Sequence, residues 1–191
     1  MGPFITWLCD VRNTDVPDVG GKNASLGEMI AMLAGKGIQV PNGFAMTAQA
    51  YWHFLDVNGI RGELSSCMGR LDRKDLSNLS FISLEARDLI MKATWPVDLA
   101  QAIRAAYDEL SREDASVAVR SSATAEDLPT ASFAGRHESF LNIQGEEALL
   151  DGAKRCYASL FMERAIKYRH DMGFPDMKVA LSIGVQHMVR S

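Results

Sequence analysis

The chain has 191 residues, of which 47% are hydrophobic and 23% charged, a composition typical of a globular protein with its own core. Its formal net charge of −4 argues against nucleic acid as a partner, because nucleic-acid binding usually needs a basic face. No stretch approaches the roughly 20 apolar residues of a membrane span, and the N-terminus lacks the features of a signal peptide. We therefore expect no membrane partner and a cytoplasmic location.

The cysteines and histidines give no sign of a metal site. Cys9, Cys67 and Cys156 have no CxxC spacing, which predicts thiols buried as small hydrophobes in a reducing compartment. The histidines also lack a metal-ligand spacing; they are His53, His137, His170 and His187.

The first half of the chain predicts a short strand followed mainly by helices. The strand fits residues 5–11, and a turn-rich loop fits residues 15–21. A helix over 24–34 would carry its apolar face on Leu26, Met29, Ile30 and Leu33. A strand interrupted by a Pro-Asn-Gly turn fits residues 39–47. Further helices are predicted at 48–57, 62–71, 80–93 and 97–110.

The second half predicts two strands, a long helix and a last strand. Val117–Arg120 and residues 138–143 read as strands, separated by a loop rich in hydroxyls and small residues. The helix is predicted over 146–170, with an apolar stripe formed by Leu149, Ala153, Cys156, Leu160 and Phe161. Residues 178–189 alternate and then run apolar, as a buried strand does. Because the chain stops directly after that strand, we expect it to be a piece of a longer protein.

The Gly20-Gly21-Lys22 turn before a helix has the ingredients of a phosphate site. Glycines let backbone N–H groups approach an anion, and a helix N-terminus with a lysine favours negative charge. The turn is not a P-loop, because Val16 and Asn23 stand where that motif needs Gly and Ser or Thr. A glycine turn beside a solvated lysine is the alternative.

Arg120 and the loop that follows it also suit an anion. A guanidinium is a fixed fork that matches phosphate or carboxylate, although a structural pair with Glu126 or Asp127 would explain Arg120 equally well. Loops as long as 121–135 are usually functional lids or disordered. Gly135 would allow close approach to an anion, but a plain surface loop remains the alternative.

Six stretches of the chain carry a family resemblance, in order along the sequence. They are VGGKNASLGEM (19–29), VPNGF (40–44), VAVRSSATAEDLPTASFAG (117–135), FLNIQG (140–145), SLFMERAIKYR (159–169) and VQHMV (185–189). Together they closely resemble the N-terminal ATP-binding domain of the phosphoenolpyruvate synthases. They are similar, less closely, to pyruvate phosphate dikinases and rifampicin phosphotransferases. Two positions depart from the pattern: Arg136-His137 replaces the usual Gln-Gln, and Asn42 stands where Pro is common.

The resemblance implies an α+β, ATP-grasp-like nucleotide-binding domain, of which this chain is the first lobe. Its helix-rich portion would be residues 1–112, and its strand-lid-strand-helix-strand portion residues 113–191. Lys22 and Arg120 would bind the phosphates of ATP, with Mg2+ as the accompanying ion. The implied phosphate lid includes Ser121, Ser122, Thr124, Ser132, Phe133, Ala134 and Gly135. The implied adenine-side strand contributes Gln186, Met188 and Val189.

The resemblance also implies an activity that this chain would not perform alone. The synthases convert ATP, pyruvate and water to AMP, phosphoenolpyruvate and phosphate through a phosphohistidine. No histidine here has the sequence context of that phosphohistidine, so the phosphohistidine and pyruvate-binding domains would lie in the remainder of the same polypeptide. The fragment would carry no catalytic residue and no metal ligand. The alternatives are an antibiotic kinase like rifampicin phosphotransferase, a nucleotide-binding module without catalysis, and a structural domain.

Overall fold

A computed structural model of the protein describes residues 3–38, 40–110, 116–124 and 138–188. Its strands are β1 (Ile5–Trp7), β2 (Gly43–Met46), β3 (Val117–Ala123), β4 (Ser139–Ile143) and β5 (Leu181–His187). Its helices are α1 (Val16–Ala34), α2 (Ala48–Val57), α3 (Ile60–Gly69), α4 (Leu79–Lys92), α5 (Val97–Leu110), α6 (Glu146–Ser159) and α7 (Glu163–Asp171). Helices packed on antiparallel strands confirm the predicted α+β class.

The strands form one sheet in the order β1-β2-β5-β3-β4, and every neighbouring pair is antiparallel. The last strand of the sequence, β5, therefore lies at the centre, between β2 from the first half and β3 from the second. The predicted division after residue 112 falls within residues 111–115, outside the described part of the chain.

The two faces of the sheet have different coverings. Alternate side chains of β3 and β5 enter the larger core, which α2, α5 and α6 cover; they include Val117, Val119, Leu181, Ile183 and Val185. The intervening positions face α1; they are Ala118, Arg120 and Ser122 on β3 and Ser182, Gly184 and Gln186 on β5. The α1 face thus carries small and polar residues where the other face carries large apolar ones.

Helix α1 differs from the predicted helix in its start and in its buried face. It begins at Val16 and breaks at Gly20, whose φ of 71° and ψ of 162° are not helical. The predicted apolar stripe is only partly buried, and Met29 is 48% exposed. Small residues pack inward instead: a Cβ on Gly27 would lie 2.3 Å from the Val11 carbonyl oxygen. The close approach of α1 to the preceding segment explains why its buried face is small rather than apolar.

The predicted helix over 146–170 is wrong, because two helices occupy that stretch. Helix α6 ends at Ser159, Met162 is extended with φ −66° and ψ 148°, and α7 starts at Glu163. The carbonyls freed at the break find side-chain donors: Arg169 Nη1 donates to Leu160 O at 2.6 Å, and Ser83 Oγ donates to Phe161 O at 2.8 Å. These tertiary hydrogen bonds satisfy the groups that a continuous helix would satisfy itself. The apolar stripe predicted for the long helix is fully buried, although Leu160 and Phe161 lie beyond the end of α6.

The other elements lie close to their predicted positions. Helices α2 and α5 have the predicted bounds, and α3 and α4 are shifted by one or two residues. Strand β1 is shorter than predicted because residues 8–10 form a 3-10 turn. Strands β2 and β5 are also shorter than predicted. Within the described ranges, no helix combines the length and the apolar composition needed to cross a bilayer.

The three thiols differ in exposure, and the difference predicts their reactivity. Cys67 and Cys156 are buried as expected, but Cys9 is exposed. Burial raises the pKa of the Cys156 thiol to about 12 and also raises that of Cys67, so neither forms the reactive thiolate at pH 8. Partial burial and the Asp10 carboxylate raise the pKa of Cys9 as well, which slows its reaction but leaves it accessible.

We therefore expect a disulfide reagent at pH 8 to titrate one thiol in the native protein and three in urea. The rate for the native thiol should rise as the pH is raised, because more Cys9 is then ionised. A Cys9→Ser variant should show no fast reaction. Rapid titration of a second thiol in the native protein would contradict the burial of Cys67 and Cys156.

Candidate functional site

The Gly20-Gly21 turn lies directly against strand β3. A Cβ added to Gly20 would lie 2.3 Å from Ser122 Oγ, 2.7 Å from Ser122 O and 2.8 Å from Ala123 O. The backbone at this position also needs a positive φ. Only glycine meets both requirements. The second segment of α1 starts at this break, and the first N–H groups of a helix have no acceptors within the helix.

Lys22 follows the turn and reaches across to β3. Its side chain is exposed, and Nζ donates to the Ser121 carbonyl oxygen at 3.3 Å. Its positive charge is also near enough to the Cys156 thiol to oppose, in part, the rise of that thiol's pKa. Residues 99 positions apart in sequence are thus brought together at the face that α1 covers.

Arg120 is exposed in the middle of β3, whereas the sequence predicted it at the end of a strand. It stands opposite Gly184 of β5 and Ser139 of β4. Among the residues that the structure describes, it has no hydrogen-bond or ion-pair partner. The two acids considered as its structural partners, Glu126 and Asp127, lie outside the described ranges.

Two cationic side chains are therefore associated with neighbouring positions of β3, residues 120 and 121. Arg120 stands on β3 itself, and the Lys22 ammonium contacts the carbonyl of the next residue, Ser121. An exposed guanidinium and an ammonium beside a glycine turn at a helix start suit an anion such as a phosphate. The sequence suggested an anion site at the turn and at Arg120 separately, without placing the two near each other.

The predicted lid over residues 121–135 begins too early. Ser121 and Ser122 are buried within β3, because the ladder between β3 and β5 continues to Ala123 opposite Leu181. Ser121 Oγ donates to Glu138 O at 3.2 Å. Ser122 Oγ is buried against Gly20 without a hydrogen-bond partner among the described residues. Ser121 and Ser122, which the sequence placed in the loop, therefore belong to the sheet.

Thr124 extends the ladder by one more residue. Its N–H donates to Ala180 O at 3.1 Å, and its hydroxyl oxygen accepts from Ala180 N at 3.3 Å. The remaining predicted lid residues lie outside the described ranges, as do Arg136 and His137; they are Ser132, Phe133, Ala134 and Gly135.

The predicted adenine-side strand is β5 and the residue after it. Gln186 faces the same side of the sheet as Arg120, pairs with Ala118, and donates from Nε2 to Pro41 O at 3.0 Å. The Met188 sulfur accepts from Asn142 N at 3.1 Å. Val189 lies outside the described ranges. The structure thus brings Gln186 onto the face of Arg120 but engages Met188 with β4.

Residues 16–191 match the profile of the pyruvate phosphate dikinase AMP/ATP-binding domain, which covers nearly the whole chain. The chain belongs to this family.

Curated relatives of this AMP/ATP-binding domain carry the name phosphoenolpyruvate synthase. The chain is 48% identical to the Aquifex aeolicus protein over 98% of its own length, and 49% identical to the Escherichia coli protein over 99%. It is 51% identical to the Pseudomonas aeruginosa protein over its full length. It spans only 22% of the Aquifex protein and 24% of the other two.

The AMP/ATP-binding domain contains a buried polar cluster that the sequence analysis missed. Asn23 was noted only as a departure from a P-loop, yet it is 4% exposed and bonds to Ser182. Asn23 lies one residue before the predicted helix over 24–34, so no local pattern indicated that its side chain is buried.

Within the described ranges, no group of three or more His, Cys, Asp or Glu side chains lies together. A magnesium ion that accompanies ATP is usually held by one or two carboxylates together with phosphate oxygens and waters. We therefore assign no described residue to the magnesium ion that the resemblance implies.

Proposed function

We propose that this chain is the ATP-binding part of a phosphoenolpyruvate synthase and that Lys22 and Arg120 bind the phosphates of ATP. The observation that carries the proposal is the contact of the Lys22 ammonium with the carbonyl oxygen of Ser121, the residue that follows Arg120 on β3, beside the Gly20 break. The names of the curated relatives support the choice of enzyme. The proposal includes an ATP-grasp-like arrangement, with this chain as the first of two lobes.

The proposed reaction converts ATP, pyruvate and water to AMP, phosphoenolpyruvate and phosphate. Phosphoryl transfer needs mainly positioning and neutralisation of charge, and Lys22 and Arg120 would supply two positive charges. The phosphohistidine and the pyruvate site belong, in this proposal, to the remainder of a longer cytoplasmic polypeptide. The chain alone would then bind ATP weakly and turn over nothing.

Within the chain we propose roles for two further groups of residues. Residues 125–135 would form a lid over the phosphates that includes Ser132, Phe133, Ala134 and Gly135. The segment from Gln186 through Met188 and Val189 would run beside adenine. We also propose residues 1–112 and 113–191 as the two portions of this lobe.

Arg120→Ala in the full-length enzyme tests the phosphate role. We expect the rate of pyruvate- and ATP-dependent phosphate release to fall by about 100-fold or more, the usual loss when one charged contact to a transferring group is removed. The fold should persist, because Arg120 is exposed and has no described partner.

Arg61→Ala is the matched control, since Arg61 is an exposed arginine on α3 that pairs with Asp56. Its kinetics should equal those of the wild type. Unchanged kinetics in Arg120→Ala, with circular dichroism confirming the fold, would refute the phosphate role.

A further inference from the structure

Asn23 is a buried amide placed directly after Lys22. It is 4% exposed, and its side-chain nitrogen donates to two acceptors: Val19 O at 3.0 Å and Ser182 Oγ at 3.0 Å. Val19 precedes the Gly20 break, and Ser182 lies on β5. One side chain therefore ties together the two segments of α1 and fastens both to the central strand.

The contact continues into the sheet. Ser182 is fully buried, and its hydroxyl accepts from Asn23 and donates to Met46 O of β2 at 2.7 Å. The site is also shaped around the amide, since a Cβ on Gly184 would lie 2.3 Å from Asn23 Oδ1. A glycine, a serine and an asparagine thus fit one another across α1, β5 and β2.

The chemistry requires a donor at position 23. A carboxylate has nearly the same shape but only accepts hydrogen bonds, so aspartate would face the Val19 carbonyl with like partial charge. An apolar side chain would leave the buried Val19 carbonyl without this donor, and an unsatisfied buried group is costly. The buried surroundings of residue 23 therefore favour an amide side chain over a carboxylate or an apolar one.

We propose that Asn23 is a positioning residue: its amide holds the Gly20 break against β5 and thereby fixes the Lys22 ammonium at the Ser121 carbonyl, next in sequence to Arg120, for ATP phosphates. The inference rests on the proposed function, because it assigns to Asn23 the placement of a group that binds ATP. Lys22 is the preceding residue of the same helical turn, so the backbone that Asn23 anchors is the backbone from which Lys22 extends to Ser121.

The test compares ATP with adenosine, which has the same base and sugar but no phosphates. In the full-length enzyme we expect Asn23→Asp to weaken ATP binding by about 10-fold, the size of one charged hydrogen bond, and to leave adenosine binding unchanged. Ser182→Ala, which removes one acceptor of the amide, should also weaken the binding of ATP but not of adenosine, by a smaller factor than Asn23→Asp. It also serves as the second variant if Asn23→Asp does not fold.

Asn58→Asp is the matched control, because the Asn58 side chain also donates to the carbonyl four residues earlier, Phe54 O at 2.8 Å, and to Thr94 O at 2.9 Å. It should lower the melting temperature without changing the ratio of ATP to adenosine affinity. Lys22→Met is the reference for the loss of the phosphate contact.

The outcomes separate the two hypotheses. If Lys22→Met weakens ATP selectively but folded Asn23→Asp and Ser182→Ala do not, the positioning role is wrong and the phosphate role stands. If Lys22→Met leaves ATP affinity unchanged, Lys22 does not bind phosphate. The phosphate role proposed for Lys22 is then wrong, and so is the positioning role of Asn23. Equal weakening of ATP and adenosine by Asn23→Asp would identify a merely structural asparagine.

Discussion

Gly20→Ala is expected to lower the free energy of unfolding by about 3 kcal/mol. The native φ of 71° and ψ of 162° lie in a region that is essentially restricted to glycine and costs other residues about 1–3 kcal/mol. The added Cβ also meets two carbonyl oxygens of β3, at 2.7 and 2.8 Å. Because these are backbone atoms of β3, which is paired on both sides, they cannot move aside without breaking the ladder, and overpacking adds about 1–3 kcal/mol.

The same substitution at Gly35 provides the control on the same helix. Gly35 has φ −71° and ψ −10°, and a Cβ there meets nothing within 4 Å. Gly35→Ala should therefore be neutral or stabilise by up to about 1 kcal/mol, because alanine restricts the unfolded chain. Urea unfolding of both variants measures the difference, and a cost below about 1 kcal/mol for Gly20→Ala would contradict the close approach to β3.

Arg169→Met is expected to cost about 3–5 kcal/mol, the usual loss when one member of a buried ion pair is removed. Arg169 is fully buried, lies 3.8 Å from the Asp176 carboxylate, and donates to Leu160 O at the break between α6 and α7. Burial lowers the pKa of its guanidinium, and the Asp176 charge opposes that shift. Methionine would fill much of the space but would leave the Leu160 carbonyl without this donor and Asp176 without a buried cation.

Lys167→Met on the same helix is the control. Lys167 and Asp171 form an exposed pair at 3.1 Å, and such pairs contribute about 0.3–0.5 kcal/mol. Adding Asp176→Asn to Arg169→Met should recover little of the loss, because the Asp176 carboxylate keeps its pair with Arg73 at 2.6 Å when Arg169 is removed. A loss below about 1 kcal/mol for Arg169→Met would mean that the arginine contributes only packing.

Local patterns predicted the helices well where one face is regularly apolar. Helix α5 has the predicted bounds, and Leu99 and Ile103 on its predicted face are fully buried. The break between α6 and α7 was not predictable in this way, because Arg169 and Ser83, which satisfy the freed carbonyls, are distant side chains. The apolar residues of the predicted stripe keep a helical spacing up to Leu160, beyond the end of α6, so the pattern predicted one continuous helix.

The candidate site was predictable residue by residue but not as an arrangement. Lys22 and Arg120 were identified from residue type and local context, and the resemblance gave them a shared ligand. Lys22 comes near the Arg120 position through its hydrogen bond to the Ser121 carbonyl, a contact between residues 99 positions apart. Ser121 and Ser122 read as loop because small hydroxyl residues favour turns, and only the ladder with β5 shows that they are strand. Asn23 and Ser182 are 159 residues apart, beyond the reach of any local pattern.

The central place of β5 has a consequence for the order of folding. Residues 181–187 join β2 to β3, and the pairing of Ala45 with Gly184 spans about 140 residues of chain. During synthesis the helices can form early, but β2 and β3 have no common neighbour until residue 187 has left the ribosome. Sheet formation of this kind is slow, because the entropy of closing a long loop must be met before the contacts form. Until then β2 can pair only with β1, and β3 only with β4, so each of these two-stranded units exposes the edge that β5 later covers, and such unpaired edges favour aggregation.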